Sequence, residues 1–91
     1  MPAIQATVRG RVHGVGFRAF VRDLADRYGL DGEVWNRTDG AVVVLAQHSN
    51  PGVLESLAEE LHLGPGSVER VEVTPLSANL GPGFRVTATR R

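Results

Sequence analysis

Residues 31–46 of the chain read DGEVWNRTDGAVVVLA, and this stretch decides which fold the remaining elements can form. Two strand-like runs, an alternating one at residues 31–36 and an apolar one at 41–46, stand on either side of the tripeptide TDG at 38–40. Asp-Gly supplies the positive φ angles that a tight hairpin needs. We therefore predict an antiparallel hairpin, which excludes the helical crossover that a parallel pair of strands would require here.

Upstream of the hairpin, the side-chain pattern predicts one strand and one helix. Residues 4–10 alternate between the two faces of an extended chain, which is typical of a strand with one buried face. From Phe17 to Tyr28 the apolar residues recur at helical spacing, and Gly29 is placed to end the helix in a left-handed conformation.

Downstream of the hairpin, the sequence predicts a second helix and two further strands. Asn50 is a suitable N-cap and Pro51 a suitable first residue for the helix. Strands are predicted at 68–74 and, shorter, at 84–87. The order β-α-β-β-α-β is the split βαβ, ferredoxin-like arrangement of the α+β class, in which two helices cover one face of an antiparallel sheet. We expect the other sheet face to be open and largely polar, with a short extra strand at the end of the chain.

Composition restricts the classes of function. The 91 residues include ten basic and ten acidic residues and no cysteine. This length predicts a single domain, residues 1–91, and the zero net charge argues against nucleic acid as the partner. The three histidines have no metal-ligand spacing, and no segment resembles a signal peptide or membrane span. We expect a free-standing, cytoplasmic, monomeric protein that uses no cofactor or metal.

The loop between the first strand and the first helix carries the strongest chemical signal. Residues 11–20 read RVHGVGFRAF, so that Gly14 and Gly16 immediately precede the helix. Backbone amides at such a helix N-terminus can hold an anion. Arg18 lies in the first turn, where its charge opposes the helix dipole, and a bound phosphoryl group would relieve that conflict.

The same loop formally fits a dinucleotide-binding fingerprint, G-x-G-x-x-A, over residues 14–19. That site needs a parallel βαβ unit with further crossovers, and this chain turns back through a hairpin instead. The match is therefore a false positive.

Two motifs resemble the acylphosphatase family. VRGRVHGVGFR at 8–18 is similar to the family signature x-G-x-V-Q-G-V-x-F-R, and GEVWNRTDGAV at 32–42 is similar to the second signature. The resemblance implies a small hydrolase that cleaves acyl phosphates without a cofactor. It implies that Arg18 binds the phosphate, that Asn36 orients the attacking water, and that the backbone of the loop cradles the phosphoryl group. The cradle residues are Val12, His13, Gly14, Val15, Gly16 and Phe17.

Some residues depart from the family pattern or stand outside it. His13 replaces the usual glutamine, and we expect its backbone amide rather than its ring to matter. Glu33 and Trp35 replace the commoner neighbours of Asn36, and Trp35 is predicted to rest on adjacent strands. Arg90 and Arg91 are predicted to form a frayed tail.

Two other classes of protein remain to be weighed. An RNA-binding module of this fold needs stacking aromatic residues on the sheet, and among the exposed sheet positions only Trp35 could stack. A phosphate-binding or regulatory domain without catalysis would retain the same loop, and the sequence leaves it open. For the enzyme, the resemblance offers carbamoyl phosphate, 1,3-bisphosphoglycerate and acetyl phosphate as candidate substrates.

Overall fold

The computed structural model describes residues 1–91 and contains every strand and helix that the sequence predicts, with ends that differ by at most one residue. Neither helix has the length and apolar character needed to cross a membrane. In chain order the elements are β1 (Ala3–Arg11), α1 (Phe17–Tyr28), β2 (Asp31–Asn36), β3 (Val42–Gln47), α2 (Pro51–Leu61), β4 (Ser67–Pro75) and β5 (Phe84–Val86).

The five strands form one sheet in the order β4-β1-β3-β2-β5. All neighbours are antiparallel except β5, which runs parallel to β2, so the sheet is mixed rather than purely antiparallel. The reason is the path of residues 76–83, which cross the sheet along the end where β4 finishes. Along that path the chain bonds to Ala3, Gln47 and Asp31 in turn, and β5 then begins at the same end as β2.

The hydrophobic core lies between the sheet and the two helices, which confirms the predicted α+β fold. Apolar side chains from both helices and from the three central strands are fully buried there. Phe17, at the start of α1, packs so closely on Gly64 that a Cβ atom at position 64 would collide with the ring. This contact fixes the first turn of α1 against the segment that follows α2.

The opposite sheet face is less open than the alternating pattern indicates. Thr7, Val43 and Trp35 lie side by side across β1, β3 and β2. Val43 is only 2% exposed and Thr7 only 7%. The centre of this face is therefore buried, whereas polar and charged groups such as Arg9, Glu33 and Glu72 lie at its margins.

The hairpin between β2 and β3 forms through residues 38–40 as predicted, but the backbone of the turn differs at Asp39. Only Gly40 has a positive φ (96°), whereas a two-residue turn of the expected type would need one at Asp39 as well. Gly40 N–H bonds to the Arg37 carbonyl (3.0 Å), and Arg37 N–H bonds to the Ala41 carbonyl (2.7 Å). The loop thus has three residues, and glycine is required only at its last position.

Candidate active site

The site lies at the sheet edge where β1 and β2 both end. Each of these strands is antiparallel to β3, which lies between them, so their C-terminal ends meet at the same edge. Val42, the first residue of β3, is paired with Val8 on one side and with Asn36 on the other. The loop that follows β1 therefore lies next to the strand end that carries Asn36, a proximity that the linear sequence alone does not give.

The loop presents backbone donors that the protein itself does not use. Gly14 and Gly16 have φ of 70° and 83°, and Gly16 caps α1 without any side-chain hydrogen bond. No backbone N–H group from His13 to Ala19 donates to a protein acceptor. The first turn of α1 contains no acidic residue. A cluster of free N–H groups at a helix N-terminus is a favourable site for an anion.

A cavity of about 330 Å³ opens in front of this loop. Its lining includes two arginines and no carboxylate, histidine or cysteine side chain, so its charged groups are all positive. The residues that line it are Val12, Gly14, Gly16, Phe17, Arg18, Ala19, Arg22, Asn36 and Val86. The side chains of Val12 and Phe17 belong to the core, whereas His13 and Val15 are exposed on the loop outside this lining.

Arg18 is half-buried and held from one side. Its Nη1 donates to the carbonyl oxygen of Thr87 (3.0 Å), just beyond the end of β5. The remaining guanidinium N–H groups are available to a ligand in the cavity. A guanidinium can make two parallel bonds to phosphoryl oxygens, and one protein contact leaves that capacity in place.

Arg22 is a cavity residue that the sequence reasoning missed. It lies outside the apolar stripe of α1 and lines the same cavity as Arg18. The available signal was the i, i+4 spacing, which puts the two arginines on one helix face.

Asn36 occupies the last position of β2, half-buried, on the helix side of the sheet. Its backbone carbonyl accepts a hydrogen bond from Arg90 N–H (2.9 Å). Asn36 lines the cavity, and its carboxamide is absent from the side-chain hydrogen bonds of the structure. Both a donor and an acceptor are therefore free for a ligand in the cavity.

His13 ties the loop to the β2–β3 hairpin. Its Nε2–H donates to the Ala41 carbonyl (2.9 Å), the same oxygen that accepts from Arg37 N–H. The ring is thus engaged with the hairpin, outside the residues that line the cavity. The ring therefore has a structural contact, which is compatible with the expectation that the backbone amide of His13, rather than its ring, serves the site.

Asp39 stabilises the hairpin that supports Asn36. Its carboxylate accepts two hydrogen bonds from the Arg37 guanidinium (3.0 and 2.8 Å) and one from Ala41 N–H (3.2 Å). The Arg37 contact, followed by the Ala41 N–H, holds the pKa of the Asp39 carboxyl well below its ordinary value. The carboxylate form is therefore the one that the fold favours.

The prediction of a frayed tail is wrong for Arg90. Its N–H donates to the Asn36 carbonyl, and its own carbonyl accepts from Thr38 N–H (2.8 Å). Its guanidinium stacks on Trp35, with Cζ 3.9 Å from the ring centroid. Two consecutive arginines at the end of a chain are typical of a solvated tail. The backbone of Arg90 instead pairs with the end of β2, and this pairing holds the residue in place.

The fold and the site together define a small α+β protein with an anion-binding loop at one edge of its sheet. Comparison with known proteins identifies the family within this class. The family model Acylphosphatase matches residues 4–86. An acylphosphatase of Mesorhizobium japonicum is 42% identical over 89 residues, which is 94% of each chain. One from Frankia alni is 50% identical over 70 residues, or 75% of this chain and 73% of its own.

Solved structures agree with this. The crystal structure of acylphosphatase from Bacillus subtilis superposes with a TM-score of 0.89 at 37% identity, covering 96% of this chain and 99% of that one. The chain belongs to the acylphosphatase family. The resemblance predicted from the two motifs is confirmed, and so is the assignment to the acylphosphatase hydrolases.

Proposed function

We propose that this protein hydrolyses the carboxyl–phosphate anhydride bond of small acyl phosphates to a carboxylate and inorganic phosphate. Water attacks phosphorus in line with the leaving carboxylate, so that one P–O bond forms as the anhydride P–O bond breaks, and the water's excess proton passes to solvent. One observation carries the proposal: free loop amides, Arg18 and Asn36 border the same cavity.

The loop and Arg18 hold the phosphoryl group. Its oxygens accept from the N–H groups of the cradle, residues 12–17, and from the Arg18 guanidinium, which neutralises the charge that develops as the bond breaks. Arg22 adds a second positive charge to the cavity wall. Pre-arranged donors of this kind need little rearrangement during the reaction, which is the main requirement for phosphoryl transfer.

Asn36 aims the water. Its carboxamide oxygen accepts a hydrogen bond from the nucleophile, while its NH₂ group can donate to a phosphoryl oxygen. The reaction does not require a strong general base, because a carboxylate is a good leaving group and the anhydride is already activated. His13 contributes its backbone amide to the cradle, and its ring stays bonded to Ala41.

The same argument restricts the substrate class. None of the cavity-lining side chains is an acid that could protonate an alkoxide as it leaves. Phosphomonoesters should therefore be poor substrates, whereas anhydrides of carboxylic acids should react.

We also propose that residues 1–91 act as a single-domain monomer in the cytoplasm, on a small-molecule substrate and without nucleic acid. The support is one continuous sheet through the whole chain and a net charge of zero. Light scattering at assay concentration tests the monomer: a mass near 9.8 kDa is expected, and a mass near twice that value would contradict it.

Release of phosphate from acetyl phosphate tests the function directly, with and without excess EDTA. Hydrolysis by the parent should continue in EDTA, because the lining residues offer an arginine pair and no ligand set for a metal. Binding of inorganic phosphate without any hydrolysis would overturn the proposal and favour the phosphate-binding regulatory domain instead. Loss of activity in EDTA, restored by a divalent cation, would contradict the mechanism.

A further inference from the structure

A short segment beyond β5, which we call the strap (residues 87–90), lies along β2 and reaches the candidate site. Thr87 N–H donates to the Val34 carbonyl (2.9 Å), and Arg90 N–H donates to the Asn36 carbonyl (2.9 Å). The strap thus continues the parallel pairing of β5 and β2 as far as the strand end that carries Asn36.

The strap also holds Arg18. The carbonyl oxygen of Thr87 accepts from Arg18 Nη1 at 3.0 Å, and no other protein group bonds to this guanidinium. The orientation of Arg18 therefore depends on where the strap places one carbonyl group. Its two middle residues, Ala88 and Thr89, are exposed and make no backbone bond to β2, so the ends of the strap must fix it.

The end at Arg90 is fixed on the far face of the sheet. Arg90 Nη2 donates to Glu33 Oε1 (2.6 Å) and to Thr87 Oγ1 (2.8 Å), while its Cζ lies over the Trp35 ring. The Glu33 side chain is 18% exposed and the Arg90 side chain 44%, so the pair is partly shielded on its carboxylate side and open to solvent on the other. Glu33 and Trp35 are the two neighbours of Asn36 that depart from the usual family residues.

We infer that Arg90 is a positioning residue: clamped by Glu33 and Trp35, it fixes the strap so that the Thr87 carbonyl holds Arg18 ready for the phosphoryl group. The inference rests on the proposed function of the site. The clamp lies on the sheet face opposite the cavity, so Arg90 itself does not touch the substrate. It acts by limiting the orientations of Arg18, which lowers the entropy lost when the anion binds.

The primary variant is Arg90→Ala, measured by the inhibition constant of inorganic phosphate and by the kcat and KM for acetyl phosphate. Phosphate binding should weaken by about tenfold, which lies within the range of interaction free energies between residues in contact. Arg90→Lys should recover only part of this, because an ammonium can pair with Glu33 but cannot lie flat on the indole while bonding Thr87 as well.

Two matched controls separate the clamp from a general effect of charge. Arg91→Ala removes the same charge at the next position, where the side chain makes no ion pair or hydrogen bond in the structure. Arg85→Ala removes the other partner of Glu33, at 3.4 Å, without altering the bonds of the strap. Both should bind phosphate as the parent does. Equal weakening in Arg91→Ala would overturn the inference.

The deciding measurement combines Arg90→Ala with Arg18→Ala. If Arg90 acts through Arg18, its effect on phosphate binding should disappear once Arg18 is absent. An equal effect in both backgrounds would mean that Arg90 has only a general structural role, and the inference would fail. If Arg18→Ala alone leaves phosphate binding unchanged, the proposed function of the site fails instead, so the two failures are distinguishable.

Circular dichroism and thermal unfolding are recorded for every variant. If Arg90→Ala does not fold, Glu33→Gln replaces it, since that change keeps the side-chain volume and removes only the charge of the clamp. Weaker phosphate binding in Glu33→Gln, absent in the Arg18→Ala background, would support the inference. Unchanged binding would contradict it.

Discussion

Arg18 and Asn36 have different tasks at the scale of single residues, and substitution can separate them. Arg18→Ala should weaken phosphate inhibition by about ten- to a hundredfold, the value of a hydrogen bond between charged groups, and should lower turnover too. Arg18→Lys should restore little, since a point charge cannot make two parallel bonds. Asn36→Ala should reduce turnover by about a hundredfold or more while the phosphate inhibition constant stays nearly unchanged, because aiming water matters only in the transition state.

Both constants would be measured for each variant, with circular dichroism as the check on folding. Normal turnover in Asn36→Ala, or unaltered phosphate binding in Arg18→Ala, would contradict these roles. The first result would leave Asn36 as a residue of the hairpin alone.

His13 gives a second test at this scale. A glutamine amide can donate to the Ala41 carbonyl as the ring does now. His13→Gln should therefore change the activation free energy of turnover by less than about 1 kcal/mol. The pH profile of turnover should show no inflection in the histidine range. A loss of about a hundredfold would instead identify His13 as a general base, since that is the contribution such a base makes.

The sequence predicts those parts of the site whose residues are close together in the chain, and it fails for contacts between distant residues. Arg18 and the loop amides are local to one strand–loop–helix segment, so their pattern is visible in the sequence. Thr87 is 69 residues from Arg18, and its carbonyl is a backbone group that every residue type carries. No side-chain pattern can indicate such a partner. The helical spacing places Arg22 on the same face of α1 as Arg18, but the cavity that both residues line is completed by the loop and by the ends of β2 and β5.

At the scale of elements, the β2–β3 hairpin supports the site and its stability should depend on pH. Because the folded state lowers the pKa of Asp39, the stabilisation it provides is present above the ordinary aspartate pKa and is lost as the pH falls through the lower, folded value. The melting temperature should therefore decrease as the pH is lowered from about 5 toward 2.

Asp39→Asn should remove part of that pH dependence, as measured by thermal unfolding across the same range. Asp26→Asn serves as the matched control, since Asp26 is an exposed aspartate on α1 that forms no ion pair in the structure. Identical pH dependence in the parent and in Asp39→Asn would contradict the role given to the Asp39–Arg37 pair.

The elements also show what periodicity can and cannot predict. Alternation and capping residues located every strand and helix, because each element is decided by neighbours close in the chain. The direction of β5 was not predicted, since it depends on the path of residues 76–83 across the sheet. The same limitation applies to Arg90, whose partners Glu33 and Trp35 lie more than fifty residues away.

At the scale of the whole molecule, three parallel strand ends meet at one edge of the sheet. The ends of β1, β2 and β5 bring the cradle, Asn36 and the contact to Arg18 to the same place, although they come from the beginning, middle and end of the chain. Cooperative folding of the sheet is therefore what assembles the cavity, and a variant that loses the sheet should lose phosphate binding with it.

The central claim is that water attacks phosphorus, and an isotope experiment tests it most directly. Acetyl phosphate would be hydrolysed by the protein in H₂¹⁸O, and both products would be analysed by mass spectrometry, with a reaction lacking protein as the control for spontaneous hydrolysis. The account predicts that ¹⁸O appears in the inorganic phosphate and not in the acetate, because the P–O bond of the anhydride is the one that breaks. Incorporation of ¹⁸O into acetate would show attack at the carbonyl carbon and would contradict the assignment of the cradle, Arg18 and Asn36 to in-line transfer at phosphorus.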